Sequence, residues 1–264
     1  TGVYYLYGKD NQLLYIGKSK NIRKRVSSHL TSKTAKAKKI QQQLVRVAFE
    51  KTGCEFIALL KEQHEIKVNQ PPFNHASKYR LFPMAISLEK DTDGYNQLIL
   101  EQVVMGKSYL KAFRNKKAGI GQLWYWMDEY ALCENKTSLS TNNGRCTRSA
   151  IKKCSGACEG IESSTNYNER VQKLVDELTL PQQNCILTSK GREAGEHGFL
   201  LLEKGQLKGY GYYDLNHQIN SLEKAKSRLT TIESNEDSKA LLLHFIKNEK
   251  YHKLLLLNET KTSV

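Results

Sequence analysis

The chain has 264 residues, 39% of them hydrophobic, which suffices for one large domain or two to three small ones. No run of about eighteen apolar residues and no signal-peptide pattern is present, so no membrane partner and a cytoplasmic, bacterial-type location are expected. The formal net charge is +14, and residues 1–80 concentrate it, with 16 Lys and Arg against 5 Asp and Glu. A small module so cationic fits a polyanion partner, without separating DNA from RNA or anionic lipid.

Val3 to Tyr7 and Leu13 to Ile16 are rich in aromatic and β-branched residues, with Gly8-Lys9-Asp10-Asn11 between them. This predicts a β-hairpin that sets Tyr4 and Tyr15 close together. A helix follows, with Asn21 as its N-cap and Ile22, Val26 and Leu30 as its inward seam. Arg25 and His29, four apart, flank that seam. Taken singly, Arg25 reads as a surface cation among Lys18, Lys20, Arg23 and Lys24, and His29 as a half-buried packing residue. Lys33, Lys36, Lys38 and Lys39 form a basic run suited to phosphate contact or to a solvated loop.

Leu44 to Glu50 reads as a third strand. Thr52-Gly53-Cys54-Glu55 has the pattern of a capping box for a helix running to about Val68, before Pro71-Pro72. Phe56, Leu59, Leu60 and Ile66 mark its apolar stripe, and Glu62 shares their face. A carboxylate on an inward stripe costs free energy unless it is paired or binds a cation.

In the middle, Met84 to Leu88 and Gln97 to Leu100 read as strands around Asp91-Thr92-Asp93-Gly94, and Ser108 to Phe113 as a short helix. Ile120, Leu123, Met127 and Tyr130 have helical spacing, with Trp124 and Trp126 beside them as core. Cys133, Cys146, Cys154 and Cys158 then run as C-x12-C-x7-C-x3-C. Four thiolates complete a tetrahedral zinc site or hold an iron–sulfur cube, and either is favoured over disulfides or free thiols.

The tail predicts a helix over Tyr167 to Thr179, a strand at Cys185 to Thr188 and a hairpin about Gly205. Helices near 219–231 and 237–248 and a last strand at His252 to Leu257 follow. The whole is α+β: a small basic module over 1–80 with a short antiparallel sheet flanked by helices, a cysteine-bearing connecting region over 81–165, and a small α+β domain over 166–264. The start at Thr1, without Met and one residue before a strand, suggests a fragment of something longer.

Residues 2–74 resemble the GIY-YIG endonuclease domain, in the form that opens UvrC-type repair nucleases. The resemblance rests on Gly2-Val3-Tyr4, Leu14-Tyr15-Ile16-Gly17-Lys18 and the helix carrying Arg25 and His29. It is completed by Glu62 and by Asn74 after Gln70-Pro71-Pro72-Phe73. It implies a metal-dependent phosphodiesterase acting on DNA, with Tyr4, Tyr15, Lys18, Arg25, His29, Glu62 and Asn74 as site residues and Mg²⁺ or Mn²⁺ on Glu62. Lys20, Arg23, Lys24, Lys36, Lys38 and Lys39 would hold the DNA. Arg25 would stabilise developing charge, and Lys18 and Arg25 would depress a tyrosine that handles the proton of the attacking water. The cysteine segment, including Ile151-Lys152-Lys153-Cys154-Ser155-Gly156-Ala157-Cys158-Glu159-Gly160, resembles the one that follows the nuclease domain in UvrC-type proteins and implies a 4Fe-4S cluster, with Zn²⁺ as the alternative. No Asp/Asp/His set of a second nuclease can be placed in the tail, which suits a single-incision, Cho-like protein. A damage-loading repair protein or an upstream proofreading-like exonuclease domain is the implied partner. Restriction- or homing-type nucleases and a non-catalytic DNA-binding module are the alternatives.

Overall fold

The computed structural model describes residues 1–74, 81–104, 106–140, 144–216, 219–233, 235–247 and 251–257. The chain forms two compact units, one of residues 1–80 with 181–264 and one of residues 81–180. The architecture is α+β, with small antiparallel sheets.

The first unit begins with β1 (Gly2–Tyr7) and β2 (Leu13–Ser19), joined by a short 3-10 turn at Lys9–Asn11. Helix α1 (Ile22–Thr31) starts at Asn21, whose side chain accepts from the Lys24 amide as its N-cap. The basic run is a second helix, α2 (Ala35–Gln43), capped by Thr34, rather than a loop. β3 (Arg46–Lys51) completes a sheet in the order β2-β1-β3. Helix α3 (Glu55–Asn69) follows.

Alternation along β1 sorts the two faces of this sheet. Tyr4 and Leu6 point to the side where Ile40, Tyr15, Ile22 and Val26 pack. Val3, Tyr5 and Ile16 point to the other, against Ala58 and Ile66 of α3. Leu30 is 51% exposed, because the inward seam of α1 ends at Val26. The capping box does not form either. Cys54 is the N-cap of α3, and the buried Thr52 hydroxyl donates to the Cys54 carbonyl. Gly53 makes this corner possible, with φ +67 and a position where a Cβ would stand 1.9 Å from the Gly191 carbonyl oxygen.

The C-terminal part of this unit is a five-stranded sheet in the order β10-β9-β8-β7-β11. Its strands are β7 (Cys185–Lys190), β8 (Glu196–Glu203), β9 (Gln206–Asp214), β10 (Leu229–Thr231) and β11 (Lys253–Leu256). Where one helix was predicted over 219–231, α7 (Leu222–Lys226) is followed by strand β10, which pairs with Gly209–Gly211. Pairing is possible there because a Cβ on Gly209 would lie 2.2 Å from the Thr230 carbonyl oxygen. Helix α8 (Glu236–Lys247) packs on α3 and β9, and Phe245 stacks on Phe56 at 4.7 Å between ring centres. Helix α3 is therefore apolar on more than one side, with Phe56, Ile57, Ala58, Leu60 and Ile66 all buried.

The second unit holds β4 (Met84–Lys90), β5 (Asn96–Gln102) and β6 (Lys111–Phe113) in the order β5-β4-β6. β6 lies where a helix was predicted over 108–113, since pairing of Lys111–Phe113 with Met84–Ile86 overrides local preference. Helices α4 (Lys116–Glu129), α5 (Thr147–Ala150) and α6 (Ser164–Leu178) surround it. The sequence placed α6 with the tail. Its Tyr167, Val171 and Leu174 instead join Leu98, Trp126, Met127, Cys133 and Cys146 in the middle core. Trp124, at 41% exposure, faces outward, unlike Trp126.

Candidate active site and cysteine centre

β2 is an edge strand, and its outer edge is where the site is assembled. The Asn74 side chain bonds both polar groups of Ile16, accepting from its amide at 2.9 Å and donating to its carbonyl at 2.8 Å. The Phe73 amide donates to the Leu14 carbonyl. Glu62, from α3 on the opposite face, reaches the same edge and accepts from the Lys18 amide at 2.9 Å. Three groups thus satisfy an edge that would otherwise expose unpaired backbone. Asn74 acts as framework here: it is buried, and its side chain bonds the β2 backbone.

Tyr4, Tyr15 and His29 form an aromatic triangle. Ring centres lie 6.0 Å apart for Tyr4–Tyr15, 5.7 Å for Tyr4–His29 and 5.1 Å for Tyr15–His29. The Tyr4 hydroxyl sits 2.8 Å from His29 Nε2. Gly17 is cross-strand from Tyr4, and a Cβ there would stand 2.4 Å from the Tyr4 hydroxyl. The phenol lies across that glycine.

The charges around this triangle agree with one pocket. Burial, foremost, pushes both phenols up, and Arg25 opposes it at each of them. The expected depression of a tyrosine is therefore reversed: desolvation outweighs the guanidinium. Beside burial, the Glu62 carboxylate also raises Tyr15. Arg25 is raised by its nearness to Tyr4. His29 is lowered by burial, Arg25 and Lys36. Glu62 is raised chiefly by burial, against the Lys18 amide, the Lys18 charge and Arg25. Glu62 thus lies within electrostatic reach of Tyr15 and Arg25.

Two side chains differ from their expected places. The Lys18 ammonium does not enter the triangle; it bonds Glu55 Oε1 at 2.6 Å, and Lys20 bonds Glu55 Oε2 at 3.0 Å. Lys36, assigned only to phosphate contact, lies over the Tyr15 ring at 4.6 Å. The sequence reading gave Glu55 only a capping role, although it stands seven residues before Glu62 and so two turns away on the same side of α3. Lys20, Arg23, Lys24, Lys36, Lys38 and Lys39 are all exposed.

Glu62 fits a hard cation. One carboxylate oxygen is taken by a backbone amide, and the residue makes no ion pair among the described residues. A half-buried carboxylate outside the described ion pairs is an oxygen donor suited to Mg²⁺ or Mn²⁺.

In the second unit the four cysteines converge. Sγ–Sγ distances are 3.7 Å for Cys133–Cys146 and 3.7 Å for Cys146–Cys154, and the sulfurs of Cys133, Cys146 and Cys158 lie within 4.8 Å of one another. The Cys158 sulfur also accepts from the Cys146 amide. The buried Arg148 anchors this segment, donating to Asp128, to the Met127 and Leu132 carbonyls and to the Lys153 carbonyl. The donor set fits a four-thiolate metal group. The separations approach the edge of a tetrahedron around one ion with ~2.3 Å metal–sulfur bonds. A cube, whose cysteines ligate four different irons, requires the sulfurs to stand further apart.

A hairpin with paired tyrosines, an edge-crossing glutamate and a helix bearing Arg25 and His29 define the GIY-YIG class of domain. Residues 1–75 match the UvrC-like GIY-YIG domain family, and residues 84–177 match the UvrC/Cho excinuclease middle domain. An excinuclease Cho of Salmonella typhi is 34% identical over 199 residues, covering 72% of this chain and 67% of that protein. The Escherichia coli (strain K12) excinuclease Cho is 34% identical over 193 residues, 70% of this chain and 64% of that one. A UvrABC system protein C of Flavobacterium johnsoniae is 31% identical over 181 residues, 66% of this chain and 30% of that one. The chain belongs to the UvrC/Cho excinuclease family. It spans 64% of the length of the Escherichia coli relative.

Proposed function

We propose that this chain is a metal-dependent DNA endonuclease of excision repair, making a single nick in damaged or structured DNA. The observation that carries the reading is the meeting of Tyr4, Tyr15, His29, Arg25 and Glu62 at one edge of a strongly basic module.

A divalent ion held by Glu62, Mg²⁺ or Mn²⁺, supplies Lewis acidity toward the scissile phosphate. Arg25 faces the phenols and meets negative charge as it develops on the phosphoryl oxygens. Tyr15 is the proton acceptor for the attacking water. Of the two phenols it is the half-buried one, and Tyr4 and Arg25 offset part of the burial and of the Glu62 charge that keep it protonated. Tyr4, wholly buried, is held by His29 and orients Tyr15 from behind. Lys20, Arg23, Lys24, Lys36, Lys38 and Lys39 hold the DNA backbone without reading sequence.

By its likeness to the four-cysteine segment that follows the nuclease domain in UvrC-type proteins, the cysteine centre takes a 4Fe-4S cluster. The 3.7 Å sulfur separations favour a second reading, a single Zn²⁺. A brown protein absorbing near ~400 nm identifies the cluster; a colourless one with about one zinc per chain identifies the ion. The Flavobacterium relative is named as part of a UvrABC system. By that likeness a damage-loading protein delivers the substrate, in a cytoplasmic setting.

The test is plasmid nicking in Mg²⁺ or Mn²⁺, with damaged and intact DNA. The wild-type chain should nick damaged plasmid. Glu62→Gln should lose about 10²-fold or more in rate while its DNA affinity stays within a factor of about three. Full activity in that variant would remove Glu62, and the reading, from consideration.

A further inference from the structure

Lys18, Lys20 and Glu55 form a cluster whose carboxylate has no part in the steps above, although Lys20 is among the cations that hold the DNA backbone. Lys18 Nζ lies 2.6 Å from Glu55 Oε1 and Lys20 Nζ lies 3.0 Å from Glu55 Oε2. One carboxylate thus bridges two ammonium groups through its two oxygens, as the two non-bridging oxygens of a phosphodiester would. The cluster adjoins the pocket, since the main-chain amide of the same Lys18 binds Glu62.

We infer that Lys18 and Lys20 form a second phosphate subsite of the DNA-binding face, occupied in the DNA-free protein by the chain's own Glu55 carboxylate. It takes a backbone phosphate of the strand held at Glu62. This rests on the DNA-nuclease reading above. Glu55 and Glu62 are seven residues apart on α3, about 10 Å along the helix axis.

The cluster differs from the ion pairs that hold the fold. Lys136 and Asp91 have side chains only 11% and 13% exposed, and Lys136 also lies over Tyr95. In the Glu55 cluster, Lys18 is 30%, Glu55 40% and Lys20 76% exposed. Pairs so open to water add little to stability and exchange partners readily. Glu55 is also the first residue of α3, where a carboxylate favours the helix dipole. That accounts for an acid at this position, not for two lysines brought to it from the β2 edge. Once a phosphate takes the lysines, Glu55 turns outward to solvent.

The experiment is binding of the full chain to a fluorescent DNA duplex without divalent ions, between about 50 and 200 mM salt. Glu55→Gln should bind about fivefold tighter at the low end, a modest coupling between sites. Its salt slope should steepen by about one, as freed lysines gain a phosphate contact. The gain should vanish when Lys18→Met and Lys20→Met are added, and the control Asp10→Asn should match wild type. Unchanged binding of Glu55→Gln, a gain that survives loss of both lysines, or an equal gain in Asp10→Asn overturns the subsite. If Glu55→Gln proves unfolded by its melting curve, Lys20→Met alone decides: a salt slope shallower by about one supports the subsite, and an unchanged slope overturns it. Wild type that binds duplex as described but never nicks in Mg²⁺ or Mn²⁺ sinks the catalytic reading alone. Wild type that nicks while the Glu55 variants fail these tests sinks the subsite alone.

Discussion

Gly17 shows how much of this site depends on the absence of one carbon. A methyl group there would lie 2.4 Å from the Tyr4 hydroxyl and 2.5 Å from the ring carbon bearing it, and Tyr4 is wholly buried. The ring would have to move within a packed pocket. Gly17→Ala should therefore cut single-turnover nicking by about 10²-fold, the usual consequence of roughly 1 Å of misplacement, with the fold retained in circular dichroism. His29 makes a second prediction. Burial, Arg25 and Lys36 hold it below its ordinary value of 6.5, so at neutral pH the ring is uncharged and its Nε2 shares a hydrogen bond with the Tyr4 hydroxyl. Acidification through a midpoint below 6.5 should charge the ring, leave Nε2 able only to donate to the Tyr4 oxygen, and lower the nicking rate. Stability moves the same way. The unfolded chain takes up the proton first, so the margin shrinks as pH falls from about 6.5 toward the folded midpoint. A His29→Phe variant whose rate keeps the same acidic limb would show that another group sets it.

At the scale of elements, α3 joins two sheets. Ala58 and Ile66 pack under β1 and β2, while Phe56 stacks on Phe245 of α8 and Ile57 comes up against Gly198 of β8. A polar network adds to this: Lys61 pairs with Glu50 and Glu65, and the Tyr5 hydroxyl donates to both carboxylates. The helix that presents Glu62 is thus held partly by residues far along the chain. Phe245→Ala should cost about 3–5 kcal/mol in urea unfolding. Amide exchange should accelerate in α3 as well as α8, and nicking should fall although residue 245 lies outside the pocket. Acceleration confined to α8 would show that α3 holds Glu62 without this support.

At the scale of the whole molecule, each unit carries one kind of chemistry. The proposed phosphodiester site lies in residues 1–80 with 181–264, and the cysteine cluster in residues 81–180. Cys133 and Cys146 are part of the middle core itself, beside Trp126 and Tyr167. Cys146→Ser should release the bound metal and lower the melting temperature of that unit by about 5 °C or more. Exchange protection around Tyr95 and Tyr167 would report it. An unaltered metal content would mean that Cys146 is not a ligand.

Much of this was legible in residue order. The strand pattern, the Asn21 cap and the four-cysteine spacing are local or periodic signals, and periodicity survives without coordinates; the grouping of the tyrosines with Arg25 and Glu62 was implied only by the family resemblance. The tertiary structure alone decided the rest. Burial, which no spacing reveals, raised the phenols that nearby cations were expected to lower. Strand pairing turned two predicted helical stretches into β6 and β10. Long-range packing put α6 in the middle core and drew Lys18 toward Glu55 instead of the tyrosines. Each of these outcomes depends on which distant surface comes to lie against a residue, and that is settled by the folded chain as a whole.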